Sequence, residues 1–202
     1  MVFIIQFALQ NSLSYYEYRT QVSKLISKGK STGYEQSADL LHYSELNVVR
    51  MKRLEKTLKL DAEVEKTLQN LKSNQTWLVI SEGWCGDAAQ LLPIFNKMDE
   101  VSDKIEMKIV FRDENVELMN LFLTNGAKSI PKLIVLDKKT LNVEANWGPR
   151  PKGAIELIRN YKEKFGKVDE TAKTELQLWY LHDKGRTTQN EVVQLLLDIE
   201  NT

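Results

Sequence analysis

The chain has 202 residues and a mass of 23.4 kDa, enough for one well-buried domain with additions but not comfortably for two. Its 28 basic and 28 acidic side chains cancel, so it lacks the cationic excess that binding to a phosphate backbone leaves in a sequence. The charge-free run from Met1 to Tyr16 is broken by Gln6, Gln10 and Asn11, so it is neither a membrane span nor, without a cationic start and a cleavage site, a secretory signal.

These exclusions predict a cytoplasmic protein without nucleic-acid or membrane partners. The one cysteine, Cys85, excludes an intramolecular disulfide, a two-cysteine zinc site and an internal dithiol couple. No metal ligand set and no cofactor motif is legible, and any sulfur chemistry must use Cys85 alone or with a partner's thiol.

In chain order, residues 1–70 read as helices. Ser14 and Glu17 have capping-box spacing ahead of Tyr18, Val22, Leu25 and Ile26, which predicts a helix over 14–28. A second helix is predicted over 37–60, with Leu40, Leu41, Met51, Leu54 and Leu58 inward and a basic run, Arg50, Lys52, Arg53 and Lys56, that invites an anion-binding reading but, with Glu45 and Glu55 nearby, reads first as a solvated face. Asp61 reads as the cap of a third, with Val64, Leu68 and Leu71 on one stripe.

The period changes at Gln75. Trp77 to Ile80 is a continuous apolar run, as in a strand buried on both faces. A helix follows from about Ala88 with Asp87 as its cap, Leu91, Leu92, Phe95 and Met98 inward, and a kink at Pro93. Ile105 to Phe111 alternates as a second strand, and Asp113 or Asn115 caps a helix that Gly126 closes. Leu133 to Leu136 is a third strand, Val143 to Trp147 its hairpin partner, and Ala154 to Phe165 a helix. Helical crossovers in this β-α-β-α-β-β-α order predict parallel pairs, and the tight turn an antiparallel one. The tail reads as a helix from Thr171 to Gly185 and another capped by Thr188 and Glu191, whose apolar faces need the central layer or a second copy of the chain as cover.

Chemistry concentrates in Ser81-Glu82-Gly83-Trp84-Cys85-Gly86-Asp87-Ala88, between the end of a buried strand and the start of a helix. Unpaired N–H groups and the helix dipole favour a thiolate there, and the strand end is where open α/β sheets place their sites. Asp87 opposes this if its carboxylate faces the sulfur. The alternative is that Cys85 is a small buried apolar side chain. His42 and His182 lie far from Cys85 in sequence, with no local signature of a Cys-His hydrolase.

Trp84-Cys85-Gly86-Asp87-Ala88, with Pro93 eight residues after the cysteine and Ile130-Pro131 before a strand, resembles thioredoxin, whose signature is Trp-Cys-Gly-Pro-Cys with a helix proline and a cis-proline. Gly148 and Gly153 also sit where thioredoxins have glycines. The resemblance covers 61–165, and the whole chain is similar to bacterial thioredoxin family proteins with a WCGDA-type motif. It implies an α/β thioredoxin-like fold, a mixed β-sheet flanked by helices, in which 61–165 is the thioredoxin-like domain between helical extensions at 1–60 and 166–202. It also implies Cys85 as the attacking thiol, a cis-proline at Pro131, and a ligand groove between Trp84, Cys85, Gly86 and Asp87 on one side and Ile130 and Pro131 on the other. Trp147 reads either as a further wall of that groove or as a core aromatic.

Four departures matter. Ala88 stands at the resolving cysteine, Asp87 at the motif proline, Val79 at a position where thioredoxins often bury an acid, and helices replace the usual first strand. A self-contained dithiol cycle is therefore excluded. Three functions compete: a monothiol redox protein acting through Cys85 on a disulfide-bearing protein or a small thiol, with an external resolving thiol; a redox-silent peptide-binding module; and a metal or iron–sulfur centre shared across a homodimer. A poised thiolate separates the monothiol function from the redox-silent module.

Overall fold

The computed structural model describes residues 1–201. In chain order the elements are α1 (Val2–Gln10), α2 (Tyr15–Ile26), α3 (Ala38–Thr57), α4 (Ala62–Gln69), β1 (Gln75–Ser81), α5 (Gly86–Glu100), β2 (Ile105–Phe111), α6 (Val116–Leu121), β3 (Lys132–Asp137), β4 (Val143–Trp147), α7 (Lys152–Phe165), α8 (Glu170–Asp183) and α9 (Arg186–Glu200). Among the described residues, none of these helices is long and apolar enough to cross a membrane. The architecture is a mixed four-stranded sheet between helices, with helical segments at both ends.

The strands lie in the order β2-β1-β3-β4. All seven residues of β1 are buried. Successive strand residues face opposite sides, so both faces of the sheet are covered, which explains why this strand reads as an uninterrupted apolar run. On one face Trp77 meets Phe95 of α5 edge-on at 6.2 Å, and Phe95 meets Trp147 of β4 at 5.7 Å.

β1 and β2 pair in parallel, as the first crossover requires, but β3 runs antiparallel to β1, contrary to the parallel pairing expected of a second crossover. The pairs Ser81 with Phe111 and Ile80 with Lys132 show the reason. The segment leaving β2 and the one entering β3 lie at the same end of the sheet. The six residues of α6 rise about 9 Å, too little to traverse a strand of about 23 Å, so the chain turns back where it left. The Cys85 turn and the Pro131 turn consequently share that end.

β2 is an edge strand. The antiparallel bridge between Leu13 and Ile109, with N–H to O distances of 2.8 and 2.7 Å, places the N-terminal segment beside it for one residue only. The Met107 N–H donates to the Asp99 carboxylate at 3.1 Å, which blunts a second edge position.

The helical ends pack on the same core. Ser14 and Glu17 form the capping box of α2, and Ser37 caps α3. Val192 and Leu196 of α9 are fully buried. Gln189 accepts from the Asp61 N–H and donates to the Lys59 carbonyl. Glu200 accepts from Lys72 and Ser73 just before β1.

Three predicted helix ends shift. α5 begins at Gly86 with Cys85, not Asp87, as its cap. α6 ends at Leu121, so Gly126 belongs to the following turn. α9 begins at Arg186, which puts Thr188 and Glu191 inside it, where Glu191 instead binds the Trp147 indole and the first N–H of α7.

Candidate functional site

The turn from Ser81 to Gly86 is fastened largely by residues from the N-terminal segment. Gly83 donates its N–H to Thr32 Oγ1 at 2.8 Å and accepts from the Asn47 amide at 3.0 Å. A Cβ on Gly83 would stand 3.1 Å from both Val22 methyls, so α2 approaches the turn at the limit of contact. The next glycine of functional note, Gly148, has φ +117° and would put a Cβ 2.4 Å from the Pro131 carbonyl oxygen, so only glycine lets β4 close on that loop. The Ile130–Pro131 and Gly148–Pro149 peptides are cis.

Cys85 sits at the N-cap of α5, where its sulfur accepts the Ala88 N–H at 3.5 Å and its S–H donates to the Ile130 carbonyl at 3.4 Å. The residue is 7% exposed. Burial first, and then the negative charge of Asp87, push the thiol up to about 12, outweighing the N–H groups of Ala88 and Asp87 and the Arg150 guanidinium, which all favour the thiolate. This corrects the expectation of a dipole-stabilised thiolate. The dipole is present, but a sulfur so largely buried loses more from desolvation than it gains from N–H groups.

The structure brings all the predicted site residues to one place, and Trp84, Cys85, Gly86, Asp87 and Ile130 line a single cavity of about 770 Å³. Buried Pro131 follows Ile130, whose carbonyl holds the thiol. Trp84 lies under Arg112, whose guanidinium carbon is 4.9 Å from the ring centre. Trp147 is not part of the cavity. Its indole N–H is held by Glu191 at 2.9 Å and its ring by Phe95, which makes it a packing aromatic. His42 does line the cavity, from the first turns of α3, while His182 does not.

Three residues to which the sequence assigns no role in the site, Arg150, Tyr180 and Glu82, organise it. Arg150 grips one Asp87 oxygen through Nε and Nη2, at 2.8 and 2.7 Å, and Tyr180 donates to the other at 2.8 Å. Burial works against the charge on Arg150, but Asp87 holds its pKa above the usual value, while burial and Asp87 raise that of Tyr180. Behind the turn, fully buried Glu82 accepts the Asp113 N–H at 3.0 Å through Oε1, and its Oε2 makes no hydrogen bond of standard geometry. Burial pushes it up to about 7 against Thr32 and the Asp113 N–H, which favour its charge. The signal for Arg150 and Tyr180 was Asp87 itself, an acid in an otherwise apolar helix start, but nothing in the sequence says which distant cation answers it. Glu82 ends an apolar strand and reads there as an ordinary turn residue.

Residues 33–163 match the family model described as thioredoxin. The chain belongs to the thioredoxin family. The match begins in the loop before α3 and so includes Asn47 and Arg50. No curated protein matches the chain. Among solved structures it is similar to a crystallised HIV epitope-scaffold (19% identity, TM-score 0.55, covering 92% of this chain and 99% of that one). It is also similar to a Pseudomonas aeruginosa protein of unknown function (17% identity, TM-score 0.56, 92% and 98%). At such identities these likenesses establish the fold alone.

Proposed function

We propose that this member of the thioredoxin family is a binding module that holds an extended peptide in the groove between Trp84-Cys85 and Ile130-Pro131, with Cys85 kept as a thiol. The observation that carries this reading is the placement of the sulfur, buried with its S–H donating to the Ile130 carbonyl, and burial raises its pKa. Ala88 offers no second thiol to release a trapped disulfide. What remains of the family's chemistry is a groove beside a strand-like turn, suited to pairing with an extended chain.

The second reading, monothiol exchange, draws support from the position of Cys85 on the cavity wall, with the Ala88 and Asp87 N–H groups and Arg150 favouring its ionised form. In that cycle the Cys85 thiolate attacks a disulfide, forms a mixed disulfide and expels a thiolate, and an external thiol attacks the adduct.

Alkylation by neutral iodoacetamide between pH 6 and 11 separates the two. The binding module predicts a logarithmic rate that climbs with pH without levelling below pH 10. A plateau between pH 7 and 8 would overturn it in favour of exchange.

A further inference from the structure

Five cations, Arg50, Arg112, Lys128, Arg150 and Lys173, line the cavity against two carboxylates, Asp87 and Glu170, in a chain whose overall charge is zero. Most of these cations are already engaged. Arg150 holds Asp87, Lys173 holds Glu170 at 2.6 Å, and Arg112 holds Asp113 at 2.8 Å.

Arg50 is different. It is half-buried, its Nη1 donates to the neutral Asn47 amide oxygen at 2.9 Å, and no carboxylate pairs with it among the described residues. Burial, followed by Arg53, pushes its pKa below the usual value, the mark of a charge that lacks compensation.

Its place is informative. Measured from a Cβ built on Gly86, Arg50 Nη1 lies at 3.8 Å and Gln177 Nε2 at 3.6 Å. The Gln177 oxygen is taken by the Gln90 amide at 2.7 Å, which leaves its N–H groups turned toward the same point. A guanidinium from α3 and an amide from α8 thus converge at Gly86, beside Cys85, at the N-terminal end of the fifteen-residue α5.

We infer that Arg50, Gln177 and the Gly86 end of α5 form a carboxylate subsite, so that the ligand of the groove is a short acidic peptide. The inference rests on the groove being a peptide site. The carboxylate takes the space over Gly86 that a side chain there would fill, and the peptide runs from it past Cys85 toward Ile130. A cavity of about 770 Å³ admits a few residues, not a folded domain.

The test uses the full chain and three capped peptides: acetyl-Ala-Glu-Ala-Glu-Ala-amide, its Gln counterpart, and acetyl-pentaalanine with a free terminal carboxylate. Binding is read from the amide NMR shifts of Gly86 and Ile130. At least one carboxylate-bearing peptide is expected to bind tenfold or more tightly than the Gln peptide, and which one does tells whether a side chain or a chain end supplies the anion. Arg50→Gln should weaken that peptide at least tenfold, with Arg50→Lys recovering part of the loss. Gly86→Ala, whose new methyl makes only ordinary contacts, should weaken it severalfold with the thermal midpoint unchanged. Equal affinity for the Glu and Gln peptides, or for wild type and Arg50→Gln, would overturn the subsite and leave the groove reading standing. If no peptide moves either amide, both fall.

Discussion

Two buried carboxylates stand on either side of Cys85 in the chain, and the fold treats them in opposite ways. Asp87, in front, meets a guanidinium through two N–H groups and a tyrosine hydroxyl, so its charge is answered in full. Glu82, behind, is wholly buried with one oxygen accepting a backbone N–H and the other making no hydrogen bond of standard geometry, so its charge is answered in part. A buried ion costs several kcal/mol unless paired and hydrogen-bonded. The front network therefore fixes the groove wall through paired charge, while the rear carboxyl, pushed up to about 7, changes its charge near neutrality.

The comparison breaks most severely if the front pair is cut. Arg150→Met leaves Asp87 charged and buried, and a loss of about 3 to 4 kcal/mol is expected in urea unfolding at pH 7. Glu82→Gln should act in the other direction. A carboxyl raised from about 4.5 to about 7 in the folded state binds its proton more tightly there than when unfolded. Its contribution is whole below pH 4.5 and is lost as pH rises through 7, so wild-type stability carries a falling component across that window. The variant should lack that component and be more stable than wild type by about 2 to 3 kcal/mol at pH 8. Parallel stability–pH curves for the two proteins would refute the assignment.

Smaller effects sharpen the contrast. Tyr180→Phe removes one hydrogen bond to a charged acceptor and should cost about 1.5 kcal/mol in the same assay. Asp87→Asn removes the negative charge nearest the sulfur while leaving Arg150 in place, so the Cys85 thiol pKa should fall and alkylation at pH 8 should accelerate about tenfold. An unchanged rate would mean that burial alone holds the thiol protonated.

Much of this was legible before folding. The apolar run at Trp77 to Ile80, the alternation at Ile105 to Phe111 and the capping box at Ser14 mark elements whose local physics leaves little choice. The Trp84 to Ala88 motif with Ile130-Pro131 marks the site, and both turns lie at one end of the sheet as that motif implies. The direction of β3 was not legible, because it depends on how far the short α6 carries the chain relative to the length of the neighbouring strands.

What the sequence alone determined is which chemistry is absent: with Ala88 and one cysteine in the chain, no internal disulfide can form in any fold. What bears on the reactivity of Cys85 emerges only in three dimensions. The helix N-terminus that favours its thiolate is local and readable from spacing. The desolvation that opposes it, the Ile130 carbonyl that accepts a hydrogen bond from its S–H and the Arg150 and Tyr180 that fix Asp87 beside it come from segments 45 to 93 residues distant. Burial and charge pairing are sums over neighbours in space, and the tertiary fold alone supplies those neighbours.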